Sequence, residues 1–450
     1  MTENYITRTP DIQIRIYPLL STMAAVTDLI SPILTAHHHK VAFIAATIGQ
    51  AMGLSKIEVQ QLAMAGAVHD IGGLSLRRRL DSFAFEVDEP WRHTVPGFVL
   101  LSSFPPFAEL ARVVRFHHVK WQNGRGEEDK GEPVPRLSHL IHLADRLAVR
   151  INPGQEILRQ KEKIIGFLAE GAGDYFVPEQ IEALLEVAGK EAFWFDLTSP
   201  EIGGILLDRL PLGEITLSEK DLPGLAELFR KIIDFRSRFT ATHSSGVASV
   251  AAAVAEKIGW DRPLIERMRL AGLLHDIGKL VVPAEILNKH APLTSADFAV
   301  IRKHPYYSAR ILRDLDGFEE IGQWAALHHE RLDGSGYPYR PQEQDIPDGA
   351  RILAVADTFT ALTEDRPYRC GMPGASSDQI MQKMALQRKL DNRYMTVIHD
   401  HFAEFGHLCL ETQKAADAVH QRFMEDCLML DRTLDPDDYC PARQPVTRQD

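Results

Sequence analysis

The chain has 450 residues, of which 45% are hydrophobic and 25% charged. That is length enough for two domains with proper cores, and an ordinary charge content argues against wholesale disorder. A formal net charge of −12 makes the chain a poor binder of long nucleic acid, although one local basic cluster suffices for a small phosphate ligand.

The four cysteines, Cys370, Cys409, Cys427 and Cys440, contain no CxxC pair. Neither a disulfide framework nor a thiolate zinc site is expected. Met1-Thr2-Glu3-Asn4 lacks the regions of a signal peptide, and no apolar run approaches the roughly 20 residues of a bilayer span. A soluble cytoplasmic protein is the expectation.

In chain order, residues 41–52 are rich in alanine with apolar residues at helical spacing. They follow His37-His38-His39. Next come His69-Asp70-Ile71-Gly72, then His93, His117-His118 and Ala144-Asp145. A stretch rich in Leu, Pro and acidic residues near 198–220 reads as a linker. Beyond it, residues 247–258 repeat the alanine-rich helical pattern, and Leu264, Met268, Ala271 and Leu274 continue it. Val281-Val282-Pro283 and Gly334 to Pro338 read as loops. The tail beyond about residue 430 has a frayed composition.

The second half repeats the first. His37 set on His243 gives an offset of 206 that holds without a gap through Gly53/Gly259, Ala65-Gly66/Ala271-Gly272 and His69-Asp70-Ile71-Gly72/His275-Asp276-Ile277-Gly278. With small gaps, His93 stands for His304, His117-His118 for His328-His329, and Asp145 for Asp357. Strand-like alternation is scarce. The expected fold is all-α, two tandem helical domains related by duplication, with ligands projecting inward from several helices. The expected boundaries are 1–197, a linker at 198–220, a catalytic unit at 221–430 and a flexible tail at 431–450.

In the second unit, His243, His275, Asp276, His304, His328, His329 and Asp357 form a ligand set for two metal ions. Imidazole suits Fe, Mn, Ni or Zn, and a carboxylate between histidines can bridge two ions. Two such ions suit phosphodiester hydrolysis, which needs an activated water and a clamp on the phosphoryl oxygens. The expected assignment gives one ion His243, His275, Asp276 and Asp357, and the other Asp276, His304, His328 and His329. Gly278 is expected to permit a tight turn. Asp276 and Lys279 are the catalytic candidates. Lys279, Arg366 and Arg369 are candidate phosphate cations, with Arg offering bidentate contact. Gly336, Tyr337 and Pro338 form a candidate substrate rim, with Tyr337 stacking on a base or packing on the site.

HDIGK, His304-Pro305, HHERLDGSGYP, RILAVADTFTAL and RPYR together resemble the HD-GYP domains, a branch of the HD phosphohydrolase superfamily. The likeness covers about 190 residues. It implies cyclic-di-GMP phosphodiesterase activity giving linear pGpG and often GMP, with Fe or Mn at the site. Some relatives prefer cyclic GMP-AMP. Some carry a glutamate for a third metal one turn before the first histidine; Phe239 stands there, so two metals are expected.

The first unit is similar to a plain HD domain. It keeps His37, His69, Asp70, His93, His117, His118 and Asp145 as a second candidate metal site. Gly73 replaces Lys279, Val119 replaces Glu330, no GYP follows, and Asn152 falls near the place of Arg366. That loss of clamp and loop suggests a regulatory or structural domain. The expected partners are the cyclic dinucleotide, a second copy in a homodimer, and a diguanylate cyclase or other signalling protein; no membrane is expected. Two other readings stay open: a nucleotide sensor with little turnover, and an oxygen-dependent di-iron oxidase, which Lys279, Arg366 and the GYP loop disfavour.

Overall fold

The computed structural model describes residues 14–18, 20–21, 36–73, 89–210, 216–217, 219–236, 238–287, 289, 291–313, 315, 317–364 and 371–434. The described residues are overwhelmingly helical, and their strands are two-residue pairs. The first unit runs through α1 (His37–Ala51), α2 (Lys56–Val68), α3 (Trp91–Ser102), α4 (Ala108–Arg115) and α5 (Arg136–Val149). It continues with α6 (Lys161–Glu170), α7 (Pro178–Ala188), α8 (Glu191–Thr198) and α9 (Ile202–Arg209). The stretch expected as a linker thus holds a helix, α9, which packs on α1.

The second unit comprises α10 (Leu222–Arg236), α11 (Arg238–Lys257), α12 (Arg262–Leu274), the short α13 (Ala284–Leu287) and α14 (Ser295–Ile301). Then come α15 (His304–Arg313), α16 (Glu319–Leu327), α17 (Asp348–Thr363), α18 (Gly374–Leu386), α19 (Asn392–Asp400) and the long α20 (Phe402–Leu430). Strand β1 (Ile14–Arg15) pairs antiparallel with β4 (Thr216–Leu217), so the start of the chain is tied to the junction between units. A hairpin of β2 (Glu128–Asp129) and β3 (Glu132–Pro133) lies in the first unit.

Local chemistry fixes several helix ends. Ser55 and Glu58 form a reciprocal capping box at α2, a device worth about 1 kcal/mol. Asp261 accepts from the Leu264 amide at the start of α12, where Pro263 fits the first turn.

The duplication is visible atom by atom. Gly53 and Gly259 both adopt positive φ, +70° and +87°. An added Cβ at Gly66 would lie 2.6 Å from the Ala42 Cα, and one at Gly272 would lie 2.4 Å from the Ala248 Cα. α1 and α2 in the first unit, and α11 and α12 in the second, therefore cross backbone to backbone at the same place. Close approach also corrects the expected reason for Gly278. It is absent from the positive-φ glycines, and a Cβ there would stand 2.0 Å from the His304 carbonyl oxygen. Gly72 has the same relation to His93, at 2.1 Å. These glycines let the helix carrying the next histidine press against the His-Asp turn.

The buried apolar residues form one contiguous core through both units. In the first unit, α3 packs against α10 and α20 of the second. Lys130 reaches Asp431, just past α20, at 3.5 Å. No helix of the described residues is long and apolar enough to cross a membrane.

Candidate metal centre

The His-Asp pair of the second unit falls where α12 ends. His275 is the C-terminal cap of α12, and Asp276 leads into a 3-10 turn over Ile277–Val281. Leaving the regular helix lets adjacent side chains converge. α11 brings His243, the start of α15 brings His304, the end of α16 brings His328 and His329, and α17 brings Asp357.

The seven expected ligands meet. Asp276 Oδ2 lies 3.3 Å from His275 Nε2 and 4.0 Å from His243 Nε2, while Oδ1 lies 3.2 Å from His304 Nε2. One carboxylate thus faces both halves of the cluster. His243 Nε2 is 3.0 Å from Asp357 Oδ1, and His329 Nδ1 is 3.7 Å from Asp357 Oδ2. His243, His275 and Asp276 offer donor atoms to one centre, and His304, His328 and His329 to another.

The tautomers test whether these groups fit a metal. His275, His304 and His328 each place Nδ1 on a backbone carbonyl, those of Gly272, Ile301 and Ala325, at 2.8, 2.7 and 2.6 Å. Such bonds make Nδ1 the donor and leave a lone pair on Nε2. The His304 and His328 Nε2 atoms then face each other at 3.3 Å with no proton between them. His275 Nε2 and Asp276 Oδ1 are buried with no hydrogen-bond partner. Unpaired acceptors packed this closely in a dry interior are costly. Divalent cations relieve that, so the donor set fits a metal pair.

Burial pushes the His304 imidazole down to about 3, so it is a neutral donor at ordinary pH. Burial alone would raise the Asp276 carboxyl, but His275 and Lys279 outweigh it and hold it well below the usual range. Lys279 Nζ sits 2.5 Å from Asp276 Oδ2, on the carboxylate itself.

Several residues beyond the expected set complete the site. Glu364, at the end of α17, holds His243 Nδ1 at 3.0 Å, and Gln413 of α20 donates to the other Glu364 oxygen at 3.2 Å. Burial would depress His243, but Glu364 and Asp357 outweigh it and push it up to about 9. Ser308 donates to the His275 carbonyl at 2.6 Å and accepts from the Gly278 amide at 2.9 Å, clamping the turn. A glutamate seven residues after Asp357 points to the same helix face, a signal open to a reader of the sequence.

The mouth lies beside His329. The Tyr337 ring is 4.9 Å from the His329 ring, and the Arg302 guanidinium sits 4.6 Å over its centroid. Gly336 is buried, and a Cβ there would lie 2.5 Å from the Glu330 Cα. Tyr337-Pro338 is cis, and Glu330 Oε1 accepts from the Tyr339 and Arg340 amides, pinning the loop. Arg366 and Arg369 lie outside the described residues.

The first unit keeps the arrangement and alters its charge. His69 and His117 place Nδ1 on the Gly66 and Val114 carbonyls. Asp70 Oδ1 lies 3.3 Å from His93 and 3.6 Å from His117, without a hydrogen bond of its own. Asp70, His93, His117 and His118 could share one ion, and His37, His69 and Asp70 another. His37 lies 3.4 Å from Asp145, whereas His39 turns to Ser21 at 2.7 Å. The buried Arg146 pairs with Asp145, at the place of Thr358 in the second unit. One would-be ligand is already neutralised.

HD domain family models match residues 35–150 and 227–394. A "3'3'-cGAMP-specific phosphodiesterase 1" of Vibrio cholerae is 32% identical over 375 residues, spanning 80% of this chain and 86% of that protein. A "cyclic di-GMP phosphodiesterase" of Pseudomonas aeruginosa is 41% identical over 140 residues, 31% of this chain and 34% of the relative. The fold is shared with the crystal structure of a cyclic GMP-AMP-specific phosphodiesterase of V. cholerae. That likeness has a TM-score of 0.59 and 22% identity, covering 90% of this chain and 98% of the other.

The chain is a tandem HD-domain protein. Within that class it belongs to the family of HD-type cyclic-dinucleotide phosphodiesterases.

Proposed function

We propose that the second unit hydrolyses one phosphodiester of a cyclic dinucleotide to a linear dinucleotide, and that 3'3'-cyclic GMP-AMP is its preferred ring. The observation that carries the choice of ring is coverage. The cyclic GMP-AMP relative aligns through most of both units, whereas the cyclic-di-GMP relative from P. aeruginosa matches a stretch of 140 residues. Cyclic-di-GMP is the second reading, favoured by the higher identity over that stretch.

Two divalent ions, Fe or Mn, would be held by His243, His275, Asp276 and Asp357 on one side and Asp276, His304, His328 and His329 on the other. When bound they lower the pKa of a water and neutralise phosphoryl charge. The chain's own residues set the geometry. Asp276 spans both donor groups, and Lys279 offsets its charge and stands ready to shift to a phosphoryl oxygen. Arg366 and Arg369 are proposed as further phosphate clamps. Tyr337, backed by Arg302 and His329, offers a flat face to a base, and Gly336 and Pro338 shape that rim. Water adds across one P–O bond, leaving a phosphate on one new end and a hydroxyl on the other.

The first unit, expected at 1–197 and carried on through α9 to Arg209, is proposed as the regulatory unit, and 221–430 as the catalytic unit. Arg146 on Asp145 supports that division, because it weakens the first ligand set while leaving its fold intact. The test is anaerobic protein loaded with Mn(II) or Fe(II), incubated with each ring separately and in competition, with products separated by chromatography. Faster linearisation of cyclic GMP-AMP is expected. Equal or faster turnover of cyclic-di-GMP would overturn the preference, and metal-loaded protein inert to both would overturn the activity.

A further inference from the structure

The repeat relation locates a second pocket. In the second unit Arg302 and His329 flank the Tyr337 ring. In the register that sets His93 on His304, their counterparts are Trp91 and His118. Both line a cavity of about 380 Å³ on the first unit, whose wall also holds Arg115, Lys120, Arg125 and Lys130. Four cations there face two carboxylates, Glu128 and Asp129. Arg115 also pairs with Glu132, and Lys120 lies over the Tyr175 ring at 4.3 Å. Lys130 pairs with Asp431, so with Glu132 and Asp431 counted the four cations are matched by four carboxylates, and Lys120 and Arg125 are the cations placed to meet a ligand phosphate at this wall. The buried Trp91 Nε1–H has no hydrogen-bond partner. Lys120, Arg125 and the aromatic face of Trp91 on one cavity wall together suit a phosphate-bearing aromatic ligand.

We propose that this cavity is a regulatory site for a single phosphorylated nucleoside, with the phosphate between Lys120 and Arg125 and the base against Trp91. The volume lies at the low end of the roughly 300–1,000 Å³ range of ligand pockets. That suits a mononucleotide better than a cyclic dinucleotide. The β2–β3 hairpin contributes Glu128, Asp129 and Lys130 to the lining and closes one side. Trp91 opens α3, which also carries His93 and packs against α10 and α20 of the second unit. α20 supplies Gln413 to Glu364, and Glu364 holds His243. Occupancy beside α3 therefore bears on a helix that positions the second metal centre.

The probe is GMP, with guanosine as the phosphate-free control, titrated calorimetrically into the full chain. Saturable GMP binding is expected, with none for guanosine. Lys120→Glu/Arg125→Glu should weaken GMP by about tenfold or more, because each lost charged contact is replaced by a repulsive one. Arg302→Ala/Tyr337→Ala, at the other mouth, should leave GMP binding in place. The charge-conserving Lys120→Arg/Arg125→Lys should retain binding, which separates lost charge from lost fold. Undiminished affinity in the charge-reversal variant, or loss of binding only in the Arg302/Tyr337 variant, would overturn the proposal.

Discussion

Glu364→Gln removes a negative charge from behind His243 while keeping an acceptor of the same shape. Two opposing effects follow. The carboxylate lies 3.0 Å from His243 Nδ1 and is steadied by Gln413 at 3.2 Å, so it orients the ring and raises its basicity. Outer partners of this kind are typically worth 10–100-fold in metal affinity, or about 1.4–2.8 kcal/mol. The same carboxylate helps hold the metal-free His243 near 9, so at pH 7 a proton must leave before a metal binds. That competition weakens apparent affinity about 100-fold at pH 7 and only about twofold at pH 9, at one decade per pH unit below the pKa. In the glutamine variant the imidazole falls toward its ordinary value of about 6.5, and most of the proton penalty goes with it.

Mn(II) titrations at pH 7 and pH 9 should therefore differ in form. At pH 9 the variant should bind about 10–100-fold more weakly, and at pH 7 the gap should narrow sharply. The wild type should release close to one proton for each metal bound at the His243 side of the pair at pH 7, measured calorimetrically in buffers of different ionisation enthalpy. Parallel pH profiles for the two proteins would refute the reasoning, because His243 would then not be the group competing for the proton.

Tyr337→Ala should raise KM by about tenfold with little change in kcat, since one stacked base is worth about 1–3 kcal/mol; steady-state kinetics on either ring will show whether kcat falls instead. Gly278→Ala places a Cβ 2.0 Å from the His304 carbonyl and 2.5 Å from the Ser308 amide. It should displace the start of α15, costing about 1–3 kcal/mol of stability by thermal unfolding and most of the metal bound at His304. Arg146→Thr removes the guanidinium from the buried Asp145, leaving it only His37 and His69, which costs up to about 3–5 kcal/mol in the metal-free protein. Excess Mn(II) should restore much of that in a melting scan and raise the bound metal per chain, and a variant indifferent to Mn(II) would contradict a ligand role for Asp145.

Much of the site was legible because its signals are local. His275-Asp276 and His328-His329 are adjacent pairs, and the 206-residue register from His37 to His243 needs no three-dimensional knowledge. The helices were legible from alanine content and apolar spacing. What escaped were the contacts made across the fold. Gln413 lies 49 residues from Glu364 and meets it only because α20 packs against α11 near Gly246. Arg302 reads as a surface cation until the loop folds Tyr337 beneath it. Arg146, one residue past a ligand, gives no sign in sequence that it is buried and neutralises Asp145. Gly278 was legible as necessary, but the reason is a neighbouring helix rather than its own φ.

The most direct test sets two disabled full-length proteins side by side under anaerobic Mn(II). One carries His275→Ala/Asp276→Ala and the other His69→Ala/Asp70→Ala, with linear product measured from cyclic GMP-AMP. The first protein should give no product and the second clear turnover. Product from the first protein, or its loss only in the second, would place the chemistry in the wrong half of the molecule and contradict the account.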